Sequence, residues 1–359
     1  HTQYYQWIYL KARGIINAMA HLQSLILTAL SWSVLCSLFV PIVPTDAIAL
    51  NPVERLALGG RLNQVQVDSR KIFSPIVNDL FGSYDDQKKN MDIVLIFPGA
   101  GGPDQFTEEL ESVLDEYLNG KNEKSRNEED NDDDDDDDDK NSHTVVKTMD
   151  WMELRGSIAT AAFDGEMVGE TIAGMVYDAD KRISPSSSSP SSTRTSDIGS
   201  IHCVGISVGA FAANACATTL SDKYCTKAEN ASNANDKLSS SSSPSPYLRL
   251  TLLDPFTSRG LVDPGYGPSN FGLKVDYAEQ YLNTDDPVPS TNDPLPLCVT
   301  FDVTGAKERD AFALEMPENE TMHCWPLVYF ARYGYNSVNS AGKRLRNDGQ
   351  RSRGTILKL

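Results

Sequence analysis

The chain has 359 residues, 50 acidic against 32 basic, and a net charge of -18; that length accommodates one large domain or two small ones. Eleven of the acids fall in Glu128–Asp139, and the remaining 39 against 32 basic residues are ordinary for a soluble domain. Lys and Arg cluster nowhere as a nucleic-acid footprint would require, so nucleic acid is excluded as a partner.

At the start of the chain, Lys11 and Arg13 precede a nearly charge-free apolar run, Leu25–Val43, followed by Ala47-Ile48-Ala49. A basic flank, an apolar centre and small residues at the end are the layout of a cleavable export signal. The run also has roughly the 20 residues that span a bilayer, so an uncleaved anchor is the rival. Residues 1–49 are therefore read as a leader. The expected location is the secretory pathway, secreted or in an organelle lumen, with a membrane-anchored form as the alternative. Asn230 and Asn319 head glycosylation sequons, which matter only on that route. Beyond the leader lie five cysteines whose spacing matches no metal site. Cys203 and Cys216 fall at core-like positions, and a disulfide among the other three is open.

No element is assigned to residues 50–90. From Met91 strand-like and helix-like segments alternate. Met91–Gly99 reads as a buried strand and Phe106–Leu118 as an amphipathic helix. His143–Trp151 is the next strand and Ala162–Ala179 the next helix. Ile201–Ser207 leads into the small-residue helix Val208–Leu220, and Tyr247–Pro255 is again a strand. Val275–Thr284 and Cys298–Gly305 are late strands, and the segment from His323 to Tyr335 a closing helix. This alternation predicts an α/β fold, a mostly parallel sheet with helices on both faces. The domain is expected over 91–345, with 346–359 as a tail. Three low-complexity inserts, 119–142 (acidic), 184–197 and 226–246 (Ser-rich), lack the apolar content to pack. Each follows a helix and precedes a strand, so each leaves the amino edge of the sheet. Ligands of open α/β sheets bind at the opposite, carboxyl edge.

Gly205-Ile206-Ser207-Val208-Gly209 fits the G-x-S-x-G elbow, with a strand before it and a helix after. A serine on that turn is exposed at a helix N-terminus, where dipole and amides favour a developing anion. Such a serine needs a base, and the five histidines allow elimination. His1 and His21 lie in or before the leader, His143 begins a strand at the wrong edge, and His202 is inside the strand before Ser207. His323, between the last long strand and the final helix, is the remaining candidate. The glycine-rich turn Phe97–Pro103 offers an oxyanion hole, with the amides of Ala100 and Val208 as donors. No Lys follows it in the P-loop pattern. The acid is open: Asp254 ends one strand and Asp286 the next.

Several segments resemble the pancreatic-type lipases. These are the D-W segment at Asp150, the helix after it, the serine elbow, Leu252-Leu253-Asp254-Pro255, Thr284-Asp285 and the stretch His323–Phe330, set against that family's H-L-x-x-Y-x-Y segment, in the same order from about Ile93 to Tyr335. The resemblance implies an α/β-hydrolase fold with Ser207 as nucleophile, Asp254 as acid and His323 as base. Asn283–Pro289 also resembles a segment of class 3 lipases, which would make Asp286 the acid. The chain departs from the family in having Pro98-Gly99 for its His-Gly pair and Ile206 before the serine. Fewer than twenty residues separate the last strand from His323, and neither a large lid nor a C-terminal sandwich domain is expected. The expected function is hydrolysis of carboxylic, lipid-like esters, with no metal or cofactor. The expected partner is the small-molecule or lipid ester, with contact to a membrane surface as an option. Acyl transfer by the same triad, or an inactive lipid-binding protein on this fold, are the alternatives.

Overall fold

A computed structural model describes residues 52–82, 91–127, 143–157, 160–183, 198–231, 245–259, 263–286, 288, 290–317, 320–334 and 351–359. The leader, the run Asp132–Asp139, Asn319 and most of the Ser-rich inserts lie outside these residues. Among the described residues no helix is long and apolar enough to cross a membrane.

In chain order the elements are α1 (Pro52–Gly82), β1 (Met91–Phe97), α2 (Gln105–Asn127), β2 (His143–Thr148), α3 (Ala161–Ile183), β3 (Ile198–Ile206), α4 (Gly209–Ala231) and β4 (Tyr247–Leu253). They continue with α5 (Tyr266–Asn270), β5 (Tyr277–Leu282), β6 (Val299–Asp302), α6 (Arg309–Glu315), α7 (Trp325–Tyr329) and β7 (Ile356–Lys358). The seven strands form one sheet in the order β2-β1-β3-β4-β5-β6-β7, every neighbouring pair parallel. Alternation along β1 divides the core. Ile93, Leu95 and Phe97 join α1, α3 and α4 on one face, while Val94 and Ile96 join α2 and α7 on the other. Helices thus cover both faces, as a buried parallel sheet requires.

β1 lies between β2 and β3 and is followed by a helix on one face, whereas β3 is followed by a helix on the other. The carboxyl ends of β1 and β3 therefore flank a topological switch point, where such sheets open a crevice.

Several boundaries differ from the sequence reading. Residues 52–82, left unassigned, form α1. Its Val65, Ser69, Phe73, Val77 and Leu80 are buried at helical spacing, and Arg61 clamps the buried Asp164 of α3 with two contacts of 2.9 Å. α2 and α4 extend into the predicted inserts, to Asn127 and Ala231. Glu, Lys and Arg propagate the first, and Tyr224, packed edge-on to Tyr177 at 5.1 Å, anchors the second. The tail beyond 345 contributes the edge strand β7. The closing helix is broken into the 3-10 turn Met322–Cys324, α7, and the π turn Phe330–Gly334. Cys203 and Cys216 are buried, and all five described cysteines are free thiols.

Candidate active site

Ser207 stands between β3 and α4 with φ 51°, a left-handed conformation in a residue that has a side chain. The glycines flanking it are there for space. A Cβ at Gly205 would lie 2.7 Å from Ala210 Cα, and one at Gly209 would lie 2.2 Å from Phe97 O. The helix can therefore turn back over the sheet only with hydrogen at both positions. The Ser207 amide donates to Leu253 O (3.0 Å), and Ser207 O accepts from Ala210 N–H (3.1 Å) and Phe256 N–H (3.0 Å). Strain of this kind persists where surrounding structure over-determines it, and it clusters at functional sites.

The turn after β1 runs alongside. A Cβ at Gly99 would touch Ser207 Cβ at 3.4 Å, so the turn carrying Ala100 abuts the serine. Gly102 N–H closes that turn on Gly99 O at 3.1 Å. The buried Trp151 indole donates to Pro98 O at 2.9 Å, a support for the turn that the sequence reading did not assign. Val208, the residue immediately before α4, is buried at the N-terminus of the helix.

His323 comes from the other side of the carboxyl edge. Thr321 caps its 3-10 turn, with Thr321 Oγ1 accepting the His323 amide at 3.3 Å. His323 Nδ1 lies 2.8 Å from Asp254 Oδ2 and 2.6 Å from Asp286 Oδ2. Both candidate acids meet the same nitrogen. Asp254 directly follows β4, has φ 46°, and its amide donates to Tyr281 O at 3.0 Å. The register pairs Ile206 with Leu253, so Ser207 and Asp254 are the next residues on adjacent strands. Asp286 sits in the loop after β5, where its carboxylate accepts Val288 N–H (3.1 Å) and the Thr291 hydroxyl (2.9 Å). Asn283, fully buried at the end of β5, joins the groups. Its amide donates to Asp254 Oδ1 (3.3 Å), and its Nδ2 donates to the carbonyl of Met322 (3.0 Å). Asn283 and Thr291 were not singled out in sequence; their signal was proximity to an acid at a strand end.

One nitrogen carries at most one proton here, while two acids face it, and the charges adjust accordingly. Burial pushes Asp254 up to about 7, helped by the neighbouring Asp286 carboxylate and opposed by the hydrogen bond to His323. Burial also acts to raise Asp286, but hydrogen bonds from His323, Asp254 and Val288 N–H hold it down at about 2. Burial lowers His323, yet the hydrogen bonds and charges of the two acids outweigh it and lift the imidazole to about 9. Asp286, the better hydrogen-bonded carboxyl, therefore ionises before Asp254.

The other histidines are placed as expected. His202 is buried, with Nε2 2.7 Å from Thr251 Oγ1, and burial with the nearby Arg249 holds it well below its usual range. His143 starts β2 opposite Met91, at the amino edge. His1 and His21 lie outside the described residues. Among the described residues, Asp254, Asp286 and His323 are the group of His, Cys, Asp or Glu side chains able to hold a metal ion, their ligand atoms lying within 4.8 Å of one another. No family model matches the chain, and no curated protein matches it.

Proposed function

We propose that this chain is a serine hydrolase of the α/β-hydrolase class that cleaves carboxylic esters through an acyl-enzyme. The observation that carries the proposal is the pairing, on adjacent strand ends, of a left-handed Ser207 at a helix N-terminus with an acid that contacts the loop histidine. The all-parallel order β2-β1-β3-β4-β5-β6-β7 fits such a fold without being its standard sheet. Ser207 Oγ attacks the ester carbonyl, and His323, neutral with its proton on Nδ1, accepts the hydroxyl proton at Nε2. Asp286 stabilises the imidazolium that forms, and Asp254 fills the second side of Nδ1. The amides of Ala100 and Val208 receive the oxyanion. His323 then protonates the leaving alcohol, and water repeats the sequence to free the acid.

Lipid-like esters are the favoured substrates on the resemblance to lipases; the half-exposed Met152 lies against the turn at Gly102. A rapid-quench time course with a p-nitrophenyl acyl ester tests the reading. The expected result is a burst of nitrophenol equal to the enzyme concentration, absent in Ser207→Ala. Folded wild-type protein that turns over esters no faster than Ser207→Ala would remove it.

A further inference from the structure

The N–H at His323 Nδ1 can satisfy one acceptor fully, yet Asp254 Oδ2 and Asp286 Oδ2 stand 2.8 Å and 2.6 Å from it. Asn283 donates its backbone amide to Asp254 Oδ1 and its Nδ2 to the carbonyl of Met322, while its buried Oδ1 has no hydrogen-bond partner. When both carboxylates are ionised, buried acceptors outnumber donors at this point of the carboxyl edge, and a cation can take the place of the proton that otherwise balances them. We propose that Asp254, Asp286 and His323 Nδ1 form a reversible binding site for a divalent transition cation of the Zn2+ type, and that its occupancy switches the hydrolase off.

The ligand set selects the ion. One imidazole nitrogen with two carboxylates suits Zn2+ better than Ca2+ or Mg2+, which take oxygen ligands in larger or more hydrated shells. The three ligand atoms already lie within 4.8 Å of one another. Tetrahedral zinc with bonds of about 2.0–2.2 Å sets its ligands roughly 3.3–3.6 Å apart, so the N–O contacts of 2.8 Å and 2.6 Å open by about 0.5–1.0 Å. His323 provides that movement and the entry path, since its side chain is 22% exposed while those of Asp254 and Asp286 are 2% and 0% exposed. The carboxylates are already oriented by outer partners: Asn283 N–H on Asp254, and Thr291 and Val288 on Asp286. Water fills the fourth position.

Inhibition follows from the tautomer. A neutral imidazole has one N–H, and a metal on Nδ1 forces that proton onto Nε2. Nε2 then donates and cannot take the proton of Ser207. The inhibition rests on the hydrolase reading above, whereas the binding does not.

The full-length Ser207→Ala chain, stripped with EDTA, is titrated calorimetrically with zinc, calcium and magnesium chloride. The result expected is one equivalent of zinc at this site, with calcium and magnesium at least 10-fold weaker. Adding His323→Ala or Asp286→Asn to that background is expected to weaken the zinc event by about 10- to 100-fold or more, while Cys324→Ser leaves it unchanged. The proposal is overturned if Ser207→Ala takes up no zinc, if uptake survives His323→Ala undiminished, or if Cys324→Ser abolishes it. Should the His323 variant fail to fold by circular dichroism, wild-type protein decides instead. Zinc is expected to slow labelling by a fluorophosphonate at least 10-fold, with recovery on adding EDTA, and unslowed labelling overturns the proposal. Wild type that labels neither with nor without zinc rejects the hydrolase reading, and the Ser207→Ala titration still judges the metal site.

Discussion

The elbow at Ser207 and the acid pair around His323 share one sheet edge but are built by different means. The elbow is backbone and close packing: Gly205 and Gly209 leave no room for a methyl group, and Ser207 is hydrogen-bonded through its main chain on both sides. The acid pair is side chains from three loops, held by Asn283, Thr291 and the cap at Thr321. A site of the first kind fails when its packing fails. One of the second kind fails when its charge balance changes, and pH or a cation reaches it without disturbing the packing of the elbow.

The two regions separate under substitution. His323→Ala is expected to lower kcat about 10^6-fold, as loss of the base does in other Ser-His-Asp triads, and to lower the melting temperature at neutral pH, where the raised imidazole contributes stability; steady-state ester hydrolysis and calorimetry read the two. Asp286→Asn should cost about 10^4-fold in kcat, because it removes the charge that faces the imidazolium. Asp254→Asn should cost only about 10- to 100-fold, because the better hydrogen-bonded Asp286 still faces Nδ1. The reverse order would transfer the acid's role to Asp254. Gly209→Ala acts on the other region, placing a methyl group 2.2 Å from Phe97 O. Urea unfolding is expected to show a loss of about 1–3 kcal/mol, typical of overpacking, and unchanged stability would refute the close approach.

The smallest effect sharpens the acid pair. With His323 raised to about 9, the protonated and inactive imidazole persists through neutrality, so kcat/KM should climb with pH until about 9. Asp286→Asn should move that apparent pKa down, and a profile already flat at pH 7 would contradict the pairing. The linked stability has the opposite sign. A raised folded-state pKa contributes stability that is complete below the ordinary value near 6.5 and is lost as pH rises through about 9. The melting temperature should fall across that window in wild type and not in His323→Gln.

Ser207 was legible because two glycines, an apolar strand and a small-residue helix all bear on one turn. His323 was legible by elimination among few histidines, and Asp254 and Asp286 as acids at consecutive strand ends. That both reach one nitrogen was not legible, since it depends on the contacts made by Asn283, Val288 and Thr291. α1 escaped notice although Val65, Ser69, Phe73, Val77 and Leu80 are helically spaced, because Pro75 lies inside it and reads as a break. β7 is three residues long, and only its pairing with β6 reveals it.

The most direct test is intact-mass analysis with peptide mapping after treatment with a fluorophosphonate. One adduct per chain, located on Ser207 and absent from Ser207→Ala, is the expected result. Folded wild-type protein that stays unlabelled, or carries its label on a different residue, would contradict a serine-hydrolase site at this elbow.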